Sequence, residues 1–112
     1  MDLSIIRGDT KFYKFQRKNK NKEVILEKAD KVYFTVKKNS QVKDVVFQKT
    51  IEDMLFDEDG TYHFVIEPKD TDGQDYDKYR YDVQVEHDGV KKTIAIGIFE
   101  IKEEVTFAEN EV

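Results

Sequence analysis

The segment Tyr79-Arg-Tyr-Asp-Val-Gln-Val-Glu86 decides the fold, because apolar and polar residues alternate along its whole length. A period of two predicts a strand with one buried face and one solvated face. Asp88-Gly89 follows closely, and this dipeptide is typical of a type I′ hairpin turn, since both central positions need positive φ. A two-residue turn pairs residue 87 with residue 90. The sequence therefore predicts a β-hairpin in the last third of the chain.

The predicted register places six apolar residues on one face of this hairpin. The aromatic and branched residues of the first strand face three isoleucines of the second. The opposed pairs are Tyr79 with Ile98, Tyr81 with Ile96, and Val83 with Ile94. A slip of one residue would move the two apolar sets to opposite faces. We therefore predict that these six side chains line a buried face.

Other segments with strand character recur along the chain, separated by polar turns. Strands are predicted at 11–17, 32–36, 44–49, 62–66 and 94–101, with a short one at 2–6. Helical signal is limited to one turn within 51–56 and a 3₁₀ turn within 68–77. Several short strands joined by polar turns predict an all-β antiparallel sandwich.

Length and composition exclude several classes of protein. The chain has 112 residues, enough for one domain with its own core, and a formal net charge of −5. The absence of cysteine excludes disulfides, thiolate metal ligands and thiol catalysis. We expect no membrane span and no secretory signal, because the apolar runs are short and the start is not basic. We expect one domain at 1–102, followed by an acidic arm or tail at 103–112.

One cluster of carboxylates is a weak candidate for a calcium site. It comprises Asp70, Asp72, Asp75 and Asp77. Calcium sites are built from such oxygen ligands. The spacing fails the EF-hand pattern, however, and aspartate is common in turns because it bonds to the local backbone. We therefore expect no metal, with calcium at these four residues as the alternative.

No arrangement of residues in the sequence is typical of catalysis. His63 is out of phase with its apolar neighbours, and His87 borders the hairpin turn. Zinc sites and general bases both need converging partners, which neither histidine has in a motif. Neither Ser4 nor Ser40 lies in a nucleophile elbow, and phosphate-binding and dinucleotide motifs are missing. We expect that the protein is not an enzyme and uses no cofactor.

Two short motifs have structural interpretations. Arg7-Gly8-Asp9 matches an integrin-binding tripeptide, but three residues match easily by chance, and the segment is typical of a turn leading into the strand at 11–17. Tyr62 and Tyr79 each follow a polar turn. Both are candidates for a tyrosine corner, in which a tyrosine hydroxyl bonds to the backbone of a Greek-key sandwich.

Charge is distributed unevenly along the chain. Residues 11–49 carry a net charge of +8, and residues 50–112 carry −12. Basic residues mixed with aromatic ones suggest nucleic-acid binding. The overall acidity argues against it, because phosphate binding needs a concentrated positive field. We expect neither nucleic acid nor membrane as a partner. A solvated lysine-rich surface and a charge-complementary protein partner both stay open.

The unequal charge also suggests how copies could assemble. The hypothesis is that the acidic arm docks on a basic surface of a neighbour and becomes ordered only there. Unlike surfaces favour head-to-tail contacts, which close into a ring when the rotation allows. We therefore expect a homo-oligomeric ring. The interface candidates are Lys14, Arg17, Lys18, Lys20, Glu103, Glu104 and Phe107.

Several segments, in order, resemble a small immunoglobulin-like domain of virion proteins from phages and prophages of Gram-positive hosts. The matching pieces are 6–10, 31–37, 59–62, 66–71, 79–85, 92–94 and 97–99. Such domains resemble the N-terminal module of the phage baseplate upper protein and related small virion or prophage proteins, and the resemblance covers roughly residues 5–106. It departs from that pattern at 73–78, where relatives usually have a leucine and a glycine before the first tyrosine of the next strand.

This resemblance implies a fold and a function. The implied fold is an immunoglobulin-like antiparallel β-sandwich of about seven strands. The implied function is a phage or prophage virion structural protein of the tail or baseplate, made in the bacterial host cytoplasm and acting through contacts with other virion proteins. One alternative is a capsid or head decoration protein. The other is a carbohydrate-binding module for host recognition, with Tyr13 and Tyr76 as candidate aromatic platforms.

Overall fold

The computed structural model describes residues 1–105, which form eight β-strands, one 3₁₀ turn and one single-turn helix. In chain order the strands are β1 (Leu3–Ile6), β2 (Lys11–Gln16), β3 (Lys31–Lys37), β4 (Val45–Thr50), β5 (Leu55–Phe56), β6 (Thr61–Ile66), β7 (Asp77–His87) and β8 (Val90–Lys102). The 3₁₀ turn spans Ile51–Asp53, and helix α1 spans Pro68–Thr71. None of the helices among these residues has the length and apolar character needed to cross a membrane. The prediction of an all-β fold is confirmed.

The strands form two sheets of unequal size. The larger has the order β1-β8-β7-β3-β4, and the smaller has the order β2-β6-β5. All neighbouring strands are antiparallel except β1, which runs parallel to β8 with Leu3 beside Phe99 and Ile6 beside Lys102. The larger sheet is therefore mixed, and the sequence prediction of antiparallel pairing throughout is wrong at β1.

The core lies between the two sheets. The ring centroids of Phe34 on β3 and Phe64 on β6 are 4.8 Å apart, so the sheets face each other through these side chains. Most of the core side chains that come from the larger sheet belong to alternate residues of β3 and β7, because successive side chains of a strand point to opposite faces. The fully buried side chains include Val32, Phe34, Val36, Tyr62, Ile66, Thr71, Tyr79, Phe99 and Ile101.

The predicted hairpin forms, but part of its predicted register is wrong. Asp88 and Gly89 have φ of 52° and 77°, as a type I′ turn needs, and residues 87 and 90 pair as predicted. The register then shifts by one residue between Val83 and Gln84. A bulge of this kind places two residues of one strand opposite one residue of the other.

The bulge changes which face of β8 is buried. Tyr79, Tyr81 and Val83 are buried as predicted. Their predicted partners are not, because beyond the bulge β8 turns its other face to the core. Ile94 and Ile98 are only partly buried, and Ile96 is 59% exposed. The core positions on β8 are instead Phe99 and Ile101.

The hydroxyls of both tyrosine-corner candidates, Tyr62 and Tyr79, form hydrogen bonds with backbone groups earlier in the chain. The Tyr62 hydroxyl accepts a hydrogen bond of 2.8 Å from the Ala29 N–H and is buried. The Tyr79 hydroxyl donates to the Asp75 carbonyl, also at 2.8 Å. The second bond reaches four residues upstream, which is the geometry described for a tyrosine corner. Each hydroxyl therefore ties a loop to the core.

Candidate functional site

A cleft lies where the tip of the β7–β8 hairpin meets the turn after β2. It has a volume of about 460 Å³, and we refer to it as the hairpin cleft. A bridge between Lys18 and Val24 closes the turn, and the Asn19 side chain accepts hydrogen bonds from the N–H groups of residues 21 and 23. The cleft is lined by Arg17, Lys18, Asn19, Lys20, Ile25, Val85, His87, Asp88, Val90, Lys92 and Ile94.

The lining of the hairpin cleft combines apolar walls with positive charge. Four aliphatic side chains face it, and four of its residues are cationic against one carboxylate, that of Asp88. Three of the predicted interface residues, Arg17, Lys18 and Lys20, meet here. Lys14 does not, because it lies on β2 opposite His63. An apolar group with negative charge beside it would fit this chemistry.

Arg17 is buried at the cleft rather than displayed on the surface. Its residue is 7% exposed, and its Nη2 donates to the Glu27 carbonyl at 2.5 Å. Its Nε is buried and has no hydrogen-bond partner among residues 1–105. A buried donor without an acceptor has a cost in free energy.

His87 lies among carboxylates beside the hairpin cleft. Its Nε2 is 3.4 Å from a carboxylate oxygen of Asp88 and 3.6 Å from one of Glu27, and its Nδ1 is 3.9 Å from Asp30. Asp30, His87 and Asp88 offer ligand atoms within 4.8 Å of one another. Exposed acidic groups adopt such spacing without an ion, so we assign no metal to this group.

The opposite end of β8 carries a network around Arg7. Its Nε donates to the Glu104 carboxylate at 2.9 Å, its Nη1 to the Gln74 carbonyl at 2.9 Å, and its Nη2 to the Tyr76 hydroxyl at 2.8 Å. The bond to Glu104 raises the pKa of Arg7 above its ordinary value. Arg7-Gly8-Asp9 thus forms a turn whose arginine is engaged within the same chain.

The predicted arm begins beside this network. Glu103 is exposed, whereas Glu104 packs against its own chain through Arg7. Phe107 lies outside the described residues. The predicted acidic arm is therefore anchored by its second residue to the domain that carries it.

Two of the four candidate calcium ligands are paired with lysines. The Asp70 carboxylate is 2.7 Å from Lys49 Nζ, and both side chains are almost buried. The Asp77 carboxylate is 2.9 Å from Lys38 Nζ, and this hydrogen bond lowers the pKa of Asp77. Asp72 ends α1 as its C-cap residue. The calcium alternative stays a prediction.

A second depression lies on the outer face of the larger sheet. It has a volume of about 420 Å³ and is lined by Tyr33, Thr35, Lys37, Lys43, Val45, Gln48, Asp82, Gln84 and Lys91. Burial raises the pKa of Asp82, and nearby Lys37 opposes that shift. We refer to this depression as the polar groove. An aromatic ring among amide and hydroxyl groups suits a sugar ligand.

The sequence interpretation of the aromatic platforms selects other tyrosines. Tyr13 packs on Phe64 and donates its hydroxyl to the Ser4 carbonyl. The Arg7 guanidinium lies over the Tyr76 ring, 4.3 Å from its centroid. The aromatic residue that lines the polar groove is Tyr33. The alternation in 32–36 places it on the second face of its strand, so the sequence pattern contained a signal for it.

Comparison with protein-family models, with curated proteins and with solved structures finds no match for this chain.

Proposed function

We propose that the chain is an immunoglobulin-like β-sandwich domain. The order β8-β7-β3-β4 corresponds to strands G, F, C and C′ of the immunoglobulin fold, and β2-β6-β5 corresponds to B, E and D. The Tyr79 hydroxyl bond near the start of β7, the equivalent of strand F, supports the same assignment. With β1 added to the edge of β8, the domain has one strand more than the seven expected.

We further propose that this domain is a phage or prophage virion structural protein of the tail or baseplate. The observation that carries the proposal is the unlike character of the two ends of β8. A cationic cleft lies at one end, and an acidic segment leaves from the other. Unlike ends suit head-to-tail contacts between copies, and such contacts build rings. The segment resemblance to baseplate domains supports the same function.

Localisation within particles tests this function. Antibodies against the protein, bound to virions and seen by electron microscopy, are expected to label the tail tip. The gene is also expected to lie among tail genes. Protein absent from purified particles would contradict the proposal. Label on the head would instead support the alternative of a capsid or head decoration protein, which uses the same kind of contact.

The polar groove favours a second candidate function, recognition of a host carbohydrate. Tyr33 supplies an aromatic face there, with Gln48 and Gln84 beside it. A glycan array is expected to give binding that Tyr33→Ala abolishes and that Tyr76→Ala, away from the groove, leaves intact. An array without signal, or with equal loss in both variants, would contradict glycan binding at this groove.

A further inference from the structure

We propose that the acidic segment 103–112 of one copy docks in the hairpin cleft of a second copy, with Phe107 against the apolar walls. This inference rests on the proposed assembly function and names the partner of that site. The occupant is a segment of this same chain, and the receptor is a cleft lined by residues between Arg17 and Ile94.

Charge complementarity is the first support. The hairpin cleft has four cationic residues and one carboxylate. The segment has no lysine or arginine and four glutamates, of which Glu104 pairs with Arg7 of its own chain and three are left for the cleft. Such complementarity steers encounter and fixes orientation. The glutamates flank the single aromatic residue, Phe107, on both sides in the sequence.

The apolar walls and Arg17 are the second support. Ile25, Val85, Val90 and Ile94 offer aliphatic surface, and Val90 is largely exposed without an occupant. A phenylalanine side chain buries a large area when it enters such a site. Arg17 lines the same cleft and places a positive charge beside these walls.

The distance that the segment can span decides whether Phe107 enters the cleft of its own chain or that of a second copy. Glu104 is held beside Arg7, past the end of β8. From Lys102 back to Ile94, the nearest cleft residue on β8, the strand rises by about 26 Å. Phe107 is three residues beyond Glu104, and an extended chain of three residues spans about 10 Å. Phe107 therefore reaches only the cleft of a second copy.

The resulting contact is heterologous. Each copy gives one segment from one end of β8 and receives another at the other end. Repetition yields a ring if the rotation closes and a filament if it does not. In an isologous dimer both copies contribute the same surface to the contact. In the proposed contact one copy contributes its segment and the other contributes its cleft.

Full-length variants test the donor and the acceptor separately. Phe107→Ala removes the anchor, and Lys20→Glu/Lys92→Glu reverses charge at the cleft. Each is expected to weaken self-association by about tenfold or more in sedimentation equilibrium, since anchors in pockets dominate interface energy. The matched controls are Phe12→Ala, at a residue 79% exposed on β2, and Lys28→Glu/Lys69→Glu, at two exposed lysines outside both depressions. Both controls are expected to associate like the wild type.

Mixing the two defective variants distinguishes this contact from a general loss of association. The Phe107→Ala variant keeps its cleft, and the Lys20→Glu/Lys92→Glu variant keeps its segment. One functional contact remains between them, so the mixture is expected to form a 1:1 heterodimer that grows no further. A mixture that stays monomeric, or that forms the wild-type assembly, overturns the inference.

The inference and the proposed function fail separately. If the wild type and Phe107→Ala assemble equally, the docking of the segment is overturned while assembly through another surface stands. If the wild type is monomeric at all concentrations, the docking is overturned, and the virion function is then decided by the labelling of particles. Weaker association at high salt is expected as well, because Lys18, Lys20 and Lys92 are exposed and salt screens their attraction for the acidic segment.

Discussion

Three tyrosine hydroxyls donate to backbone carbonyls and hold peripheral segments on the core. The donors are Tyr13, Tyr79 and Tyr81, and the acceptors are the carbonyls of Ser4, Asp75 and Met1, respectively. Burial raises the pKa of all three, to about 12 for Tyr13. A neutral hydroxyl is required for each bond, because a phenolate cannot donate.

The raised pKa values predict a loss of stability in alkali. A tyrosine in the unfolded chain releases its proton near pH 10, whereas these three keep theirs in the folded protein to higher pH. The folded state then binds more protons, so the free energy of unfolding falls as pH rises. The contribution is fully present below pH 10 and is lost as pH approaches about 12, the pKa of Tyr13.

Denaturant midpoints measured across this range check the prediction, with phenolate absorbance followed in parallel. Tyr13→Phe is expected to reduce the alkaline loss, because one of the shifted groups is removed. A midpoint that stays constant through the phenolate titration would show that the three hydroxyls contribute nothing to this dependence.

At the scale of elements, the hairpin shows what local sequence can and cannot predict. The turn was predictable because Asp88-Gly89 supplies both positive φ angles. The buried face of β8 could not be predicted in the same way, because residues 94–101 place apolar side chains on both faces of the strand. The choice between the faces is made by distant partners: the Phe99 ring packs 5.7 Å from Phe47 and 6.3 Å from Phe34.

The bulge makes a prediction about two residues that an unbroken register would pair. Tyr81 is buried, so Tyr81→Ala is expected to cost about 3–5 kcal/mol of unfolding free energy, as large core truncations do. Ile96 is mostly exposed, so Ile96→Ala is expected to cost less than about 1 kcal/mol. Chemical denaturation measures both changes. Equal losses would contradict the bulged register, and a small loss at Tyr81 would contradict its place in the core.

The four aspartates from α1 to the start of β7 are expected not to bind calcium. Asp70 and Asp77 already have lysine partners, so a calcium ion would have to compete with those ammonium groups. Neither calcium nor EDTA is therefore expected to change Tm, which rises only when a ligand prefers the folded state. A rise of several degrees with calcium would reverse this conclusion and assign a role to the loop carboxylates.

Of the properties of the hairpin cleft, only its positive charge could be predicted from the sequence. The cluster of Arg17, Lys18 and Lys20 follows from a basic stretch of sequence. Its apolar walls do not, because Ile25 and Val90 come from segments distant in sequence and meet only when the turn after β2 packs on the hairpin. The polar groove is likewise assembled from three strands, so no local motif signals it.

At the scale of the molecule, the charge contrast of the sequence is redistributed. The basic stretch 11–49 contributes β2 to the smaller sheet and β3 and β4 to the larger one. Its charge is therefore shared between both sheets, and two wholly unlike faces are not formed. The contrast that remains lies along β8, between the hairpin cleft and the acidic segment.

Because Glu104 pairs with Arg7, two C-terminal truncations are expected to differ in Tm. Removing residues 106–112 leaves the pair intact, so Tm is expected to stay close to that of the full chain. Removing residues 103–112 leaves Arg7 without the Glu104 carboxylate, so Tm is expected to fall. Thermal unfolding of both proteins checks this. Equal Tm values would show that the pair adds nothing to stability.

The parallel pairing of β1 with β8 has a mechanical consequence. A pulling force applied through residues 2 and 103 draws these strands past each other along their length, and the hydrogen bonds between them lie across that force. They must rupture together. The same force applied through residues 76 and 103 would peel β7 from β8 one pair at a time. The domain is thus expected to resist tension along its own chain far better than tension across the hairpin.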